Sequence, residues 1–421
     1  MYNRRHFLKD SSLTAFGLAL SNVLNTTTAG EKHILLRNGW QVENIGDIAH
    51  TPGMLQLIKQ YIPKAKVTFW PHYHVLPAEE VAMLNRDFPD LKIVEGKLDA
   101  AGNVPEEVAK VMDTADFFLH GSGPATIGWA EALAFKKLTG KPYGVYGVTY
   151  GLYGTPENEM LSGAAFVYFR DTISLELAKK SGIQAPIMGF APDAAFSFKG
   201  KNDRKAKAFL EANNLTKGQF LCCIPKHRAT PVWLHPLKGR PFDKARNDRN
   251  EAMMEHDHGP LRQAIIDVVR QTNLKVLIVA EDLTQTELGK KEVWDKLPKD
   301  VQQQTIWRSE FWLPDEALSI YRQSRGLFSL EMHSPIMCIG NGIPALVARW
   351  QEQSSKGFMW RDIGLGDWLF DFDNEEELQK FAPKVLEMAK NPTQFKKMAQ
   401  AAQKRVIEFQ KNTMTILKKS V

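Results

Sequence analysis

Ser329-Leu330-Glu331-Met332-His333-Ser334-Pro335-Ile336-Met337-Cys338-Ile339-Gly340-Asn341-Gly342-Ile343-Pro344 reads as one strand–helix–strand passage. Residues 326–330 are a short apolar run, suited to a buried strand. Ser334 is a residue that caps helix N-termini, and Pro335 fits a first helical position. The Asn341-Gly342 pair ends the helix where a left-handed residue is easy, and residues 343–347 begin the next strand. His333 is therefore expected at the carboxyl end of a strand, just ahead of a helix start. Ligands bind at that place in open α/β sheets, and free N–H groups there favour anions. The plainer alternative is a histidine that only closes a turn.

Outward from this passage the alternation continues in both directions. Strand-like runs at 33–36, 67–70, 91–94, 117–119, 143–148, 166–169 and 187–190 are separated by helical stretches. A second series has strands at 220–224, 275–280, 305–308, 326–330, 343–349 and 369–370, then helices over 374–390 and 392–419. Such alternation predicts parallel sheets with helices on both faces. The charged, apolar-poor stretch 199–207 marks the boundary. The expected division is a leader over 1–30, one α/β domain over 31–200, a second over 201–390 and a closing helix over 391–421.

The 421 residues suffice for two domains, and 43% hydrophobic with 24% charged residues is a globular composition. The net charge of +6 is spread along the chain without a basic block, which speaks against nucleic acid and leaves anionic substrates open. Cys222 and Cys223 fall in a strand and Cys338 in the short helix, so they read as packed thiols. Asn3-Arg4-Arg5-His6-Phe7-Leu8-Lys9, followed by a modest apolar run, resembles a twin-arginine export signal. It predicts a periplasmic protein with no stable membrane insertion once the leader is cut near Ala29-Gly30.

Other chemistry-bearing residues gather at expected strand ends. Asn44-Ile45-Gly46-Asp47 enters a helix, and Asn44 and Asp47 there suit a phosphate or a sugar hydroxyl. His120-Gly121-Ser122-Gly123 closes another strand, making Gly121 and Ser122 candidates. Lys226 and Arg228 follow the 220–224 strand and offer a mobile charge and a planar fork to an anion. Glu281, Ser334, Arg349 and Lys356 complete the candidate substrate-binding set. The long stretch 229–250 reads as an irregular, functional insertion. His72 with His74 lacks a nearby acidic partner, and Glu255-His256-Asp257-His258 is spaced too tightly for a structural zinc site, so neither metal nor cofactor is expected.

Several of these pieces, taken in order, resemble the polysaccharide pyruvyl transferase family: Asn44-x-Gly46-Asp47, Gly121-Ser122-Gly123, Arg170-Asp171-x-x-Ser174, Pro192-Asp193-x-x-Phe196, His333-Ser334 and Gly342-x-Pro344. The resemblance covers about residues 33–390. It implies two Rossmann-like domains facing across a cleft in the GT-B manner. It also implies transfer of a pyruvyl group, as a ketal, from phosphoenolpyruvate or another anionic donor to a polysaccharide or oligosaccharide. His333 matches the family's general acid, and an ordinary pKa near 6.5 would leave it protonated near neutrality with little help. Where the family commonly has arginine two residues earlier, this chain has Glu331, which is suited to accept from a sugar hydroxyl or to orient His333. Two alternatives remain open at this level. One is a non-transferring glycan binder using Trp233, Trp312, Trp350 and Trp360; the other is a nucleotide-sugar glycosyltransferase.

Overall fold

Thirteen strands form two parallel sheets in the computed structural model, which describes residues 31–39, 42–72, 76–151 and 153–421. The expected export signal and His74 lie outside the described residues. The first sheet holds β1 (His33–Arg37), β2 (Lys66–Phe69), β3 (Lys92–Ile93), β4 (Phe117–His120), β5 (Tyr143–Val148), β6 (Val167–Phe169) and β7 (Met188–Phe190), in the order β3-β2-β1-β4-β5-β6-β7. The second holds β8 (Phe220–Ile224), β9 (Lys275–Ile278), β10 (Thr305–Trp307), β11 (Gly326–Ser329), β12 (Ala345–Arg349) and β13 (Leu369–Asp371), in the order β10-β9-β8-β11-β12-β13. Both are wound outward from a first strand that lies beside the fourth. β1, β4, β8, β11 and β12 are buried along their whole length. That is why each reads as an unbroken apolar run rather than an alternating one.

In such sheets the crevice lies where the winding reverses, outside the strand ends. In the second sheet this is the gap between β8 and β11, so Lys226 and His333 flank it. The Ile45–Tyr61 helix of the first half reaches toward the same place. Asn44 caps it, its side chain accepting from the N–H groups of Gly46 and Asp47 at 2.9 and 3.2 Å. Residues 45–55 are all buried, as suits a helix covered on every side. A short backbone ladder joins the halves: Ile45 N–H donates to the Glu281 carbonyl and Leu283 N–H to the Glu43 carbonyl, each at 2.9 Å.

The closing helix, Pro392–Ser420, packs on both halves. Phe395, Ala399 and Val406 join the core of the second sheet, and Met414 and Leu417 join that of the first. Among the described residues no helix is long and apolar enough to cross a membrane.

Three local expectations need correction. The insertion at 229–250 contains a short helical turn at Val232–Leu234. Its remainder joins a 28-residue helix, Lys244–Gln271, that runs through Pro260. The 255–258 cluster lies on that helix. Asp257 is committed to Arg228, and His258 Nδ1 donates to the Met254 carbonyl, so the group does not assemble a metal site. The helix after β11 starts at His333 rather than Pro335, and its N-cap is Met332, which makes no side-chain bond, rather than Ser334. Finally, Trp312, Trp350 and Trp360 are core residues whose indole N–H groups donate to backbone carbonyls. They offer no face to a sugar.

Candidate active site

His333 is held from three sides. Glu281, after β9, accepts from the His333 N–H at 3.3 Å and the Ser334 N–H at 2.5 Å, and contacts His333 Nδ1 at 3.2 Å. The protein's own carboxylate thus occupies the helix start expected to receive an external anion. Ser334 is fully buried and its hydroxyl accepts from Tyr321, so both Glu281 and Ser334 are engaged by partners within the protein. A carboxylate at Nδ1 requires the proton there, which leaves Nε2 of the neutral ring as an acceptor. His50 Nε2 stands 3.2 Å from it, edge to face, and donates.

His50 lies three residues after Asp47 on the Ile45–Tyr61 helix, on the same face. Its Nε2 is 4.0 Å from Asp47 and 3.9 Å from Asp193. Asp193 also accepts from Arg170 at 2.8 Å. Burial alone would raise the Asp193 carboxyl, but the charges of His50, Arg170 and His333 outweigh it and hold it at about 2. Neither His50 nor Asp193 stood out as a site residue in the sequence. The spacing of Asp47 and His50 was the available sign of the first, and the Pro192-Asp193-x-x-Phe196 motif, given no role there, was that of the second. Asp47, His50 and His333 bring ligand-type atoms within 4.8 Å of one another, a geometry able to hold a divalent ion.

Burial drives the His333 pKa well below its ordinary value, helped by the positive charges of Lys356 and His50 and opposed by Asp47 and Asp193. This runs against the expectation that His333 stays protonated near neutrality with little help.

Glycine makes this packing possible. A methyl group on Gly46 would run into the His333 ring. Gly53 and Gly340, from the two helices that carry His50 and His333, each press onto backbone of the Ala194–Ser197 turn.

A cavity of about 220 Å³ opens beside His333, lined also by Asn44, Asp47, Lys226, Asp282, Glu331 and Lys356. Glu331 is bonded to Lys226 and accepts from Gln285 at 2.8 Å. Burial works against the Lys226 charge, but Glu331 more than compensates and keeps it protonated. Burial lowers the Lys356 pKa, and among the described residues no carboxylate lies within ion-pair distance of it. Asp282 is fixed by His235 at 2.8 Å.

Four further candidates are placed in packing roles. Arg228 is saturated by Asp257 and Glu352 at 2.9 Å and Asp373 at 2.8 Å. Arg349 donates to Asp371 at 2.9 Å and lies over Phe358, away from the cavity. Ser122 is buried, accepting from the Ala194 N–H at 2.9 Å, and Gly121 is pressed against Asn38. Position at a strand end was sound for these residues; the counter-charges that neutralise them come from distant segments.

Solved structures share this architecture. A glycosyltransferase from Rickettsia africae superposes with TM-score 0.52 at 13% identity, covering 93% of this chain and 97% of that one. Anabaena HepE, solved with UDP and glucose, gives 0.55 at 12% identity over 92% and 100%. The UDP-GlcNAc 2-epimerase of Neisseria meningitidis, bound to UDP-GlcNAc, gives 0.52 at 12% over 92% and 100%. At such identities the likeness establishes the GT-B-like fold alone. No curated protein matches the chain. The model of the family described as polysaccharide pyruvyl transferase matches residues 44–352, from the Asn44 cap through His333 and past β12, and the chain belongs to that family.

Proposed function

We propose that the protein transfers a pyruvyl group from an enolpyruvyl phosphate to two hydroxyls of a glycan, releasing phosphate. The observation that carries this reading is the small cavity shared by His333, Lys226 and Lys356. Lys356, without a counter-charge of its own, takes the donor's carboxylate or phosphate, and Lys226 turns toward it from Glu331. The donor's negative charge replaces what burial and Lys356 deny to His333, and so brings up the imidazolium. His333 gives its proton to the enol methylene, and the adjoining carbon becomes electrophilic. One glycan hydroxyl adds there and loses its proton to Asp47; the second displaces phosphate, which leaves with the second proton. Glu331 orients a hydroxyl. With the expected export signal, the acceptor is an envelope glycan.

The test is phosphate release from phosphoenolpyruvate in the presence of candidate glycans. The wild type releases phosphate only with an acceptor present; His333→Ala and Lys356→Ala release none. Dialysis against a chelator leaves the rate unchanged. Turnover that survives His333→Ala contradicts the reading.

A second reading, a glycan-binding relative without transfer, is favoured by one observation: Glu331 and Glu281 fill the places where donor anions would sit. It predicts glycan binding with no phosphate release under any condition.

A further inference from the structure

Beside the inner cavity lies a larger one of about 460 Å³, and Lys226, Thr230, Val232 and Lys356 line both. The inner space is below the size typical of sites for drug-sized ligands and suits a three-carbon donor; the outer is within that range. Anything bound in the outer cavity meets the inner one at the two lysines, where the reacting carbon is placed above.

The outer wall has a definite chemical character. Arg228, Arg246, Lys226 and Lys356 line it against one carboxylate, Glu352. Glu352, in the wall itself, pairs with Arg228, while Asp257, Asp373 and Glu331 lie outside the lining, so the cations left to face a ligand are Arg246 and Lys356. Arg246 is half-exposed and only loosely paired, 3.3 Å from Asp243. Arg228 is fixed by its carboxylates and lies over Trp350, giving a rigid floor. Gln353 donates to the Leu330 carbonyl at 3.3 Å, but its Oε1 is buried without a partner. A buried acceptor left unpaired is costly, and a hydroxyl donor on a ligand would recover that cost.

The geometry points to the outer cavity as the acceptor subsite, and to an acidic sugar unit, one carrying a carboxylate or sulfate beside its hydroxyls, as its ligand. Arg246 and Lys356 meet the acid and Gln353 receives a hydroxyl. The assignment of an acceptor rests on the pyruvyl-transfer reading; binding of an acidic sugar does not.

Isothermal titration of the full chain separates the two. An oligogalacturonate is titrated beside a neutral cello-oligosaccharide, at about 0.05 M and about 0.5 M salt. The acidic ligand binds and weakens with salt, and the neutral one binds at least tenfold more weakly, about 1.4 kcal/mol. Arg246→Ala, on an exposed side chain that leaves folding intact, weakens the acidic ligand about tenfold, and Gln353→Ala several-fold. Equal binding of the neutral oligosaccharide, or affinity for the acidic one unchanged in both variants, overturns the inference. Acidic-sugar binding without phosphate release from phosphoenolpyruvate sinks the transfer reading and leaves the subsite standing.

Discussion

Burial disfavours the charged form of His333, and the proposed proton transfer needs that form. The groups facing it are Lys356 and His50, which oppose its charge, and Glu281, Asp47 and Asp193, which favour it. Activity that needs the imidazolium is lost as pH rises through this pKa, and a lowered pKa puts that loss below the ordinary histidine range. Replacing His50 by Gln keeps a hydrogen-bonding side chain and removes one positive neighbour. The alkaline fall of kcat/KM should then move to higher pH. A profile that keeps its midpoint while the rate drops would mark His50 as packing alone. At this scale the convergence of His333, Asp47, Lys226, Glu331 and Lys356 on one cavity was legible in part, from strand-end and loop positions. The sequence was not legible for Arg228, Arg349 or Ser334. Whether a polar group is free depends on partners such as Asp373, Asp371 and Tyr321, far away in the chain or on another element.

The elements that position His50 and His333 are two helices pressed together through glycines. Gly46→Ala puts a methyl group into the His333 ring. Overpacking of this kind costs about 1–3 kcal/mol, read as a lower midpoint in chemical denaturation, and it should abolish turnover as well. Asn44→Ala removes the cap of the same helix without touching His333, costs about 1 kcal/mol and spares more activity. Most elements could be read from apolar runs and breakers, because strands buried on both faces have no polar alternation to confuse. The Lys244–Gln271 helix could not. Pro260 costs an interior helix about 3 kcal/mol, which buried tertiary contacts on either side, such as Asp257 with Arg228 and Leu261 in the core, offset here.

Over the whole molecule, two sheets wound the same way present their reversal points to one shared crevice, and the backbone ladder at Asn44 and Asp282 fixes the two halves to each other. The paired series of strands made this architecture readable. What the pattern could not convey was how closed the crevice is. Glu281 and Glu331 neutralise much of it from within, so the donor must displace or outcompete internal ion pairs. The account therefore turns on whether His333 passes a proton to a carbon atom in that crevice. Reaction of phosphoenolpyruvate with an acidic glycan in heavy water, followed by mass spectrometry of the product, reads this directly. A single solvent deuterium in the methyl group of each new pyruvyl ketal, formed by the wild type and absent with His333→Ala, is the result predicted. Ketal formed equally by His333→Ala, or ketal whose methyl carries no solvent deuterium, would contradict it.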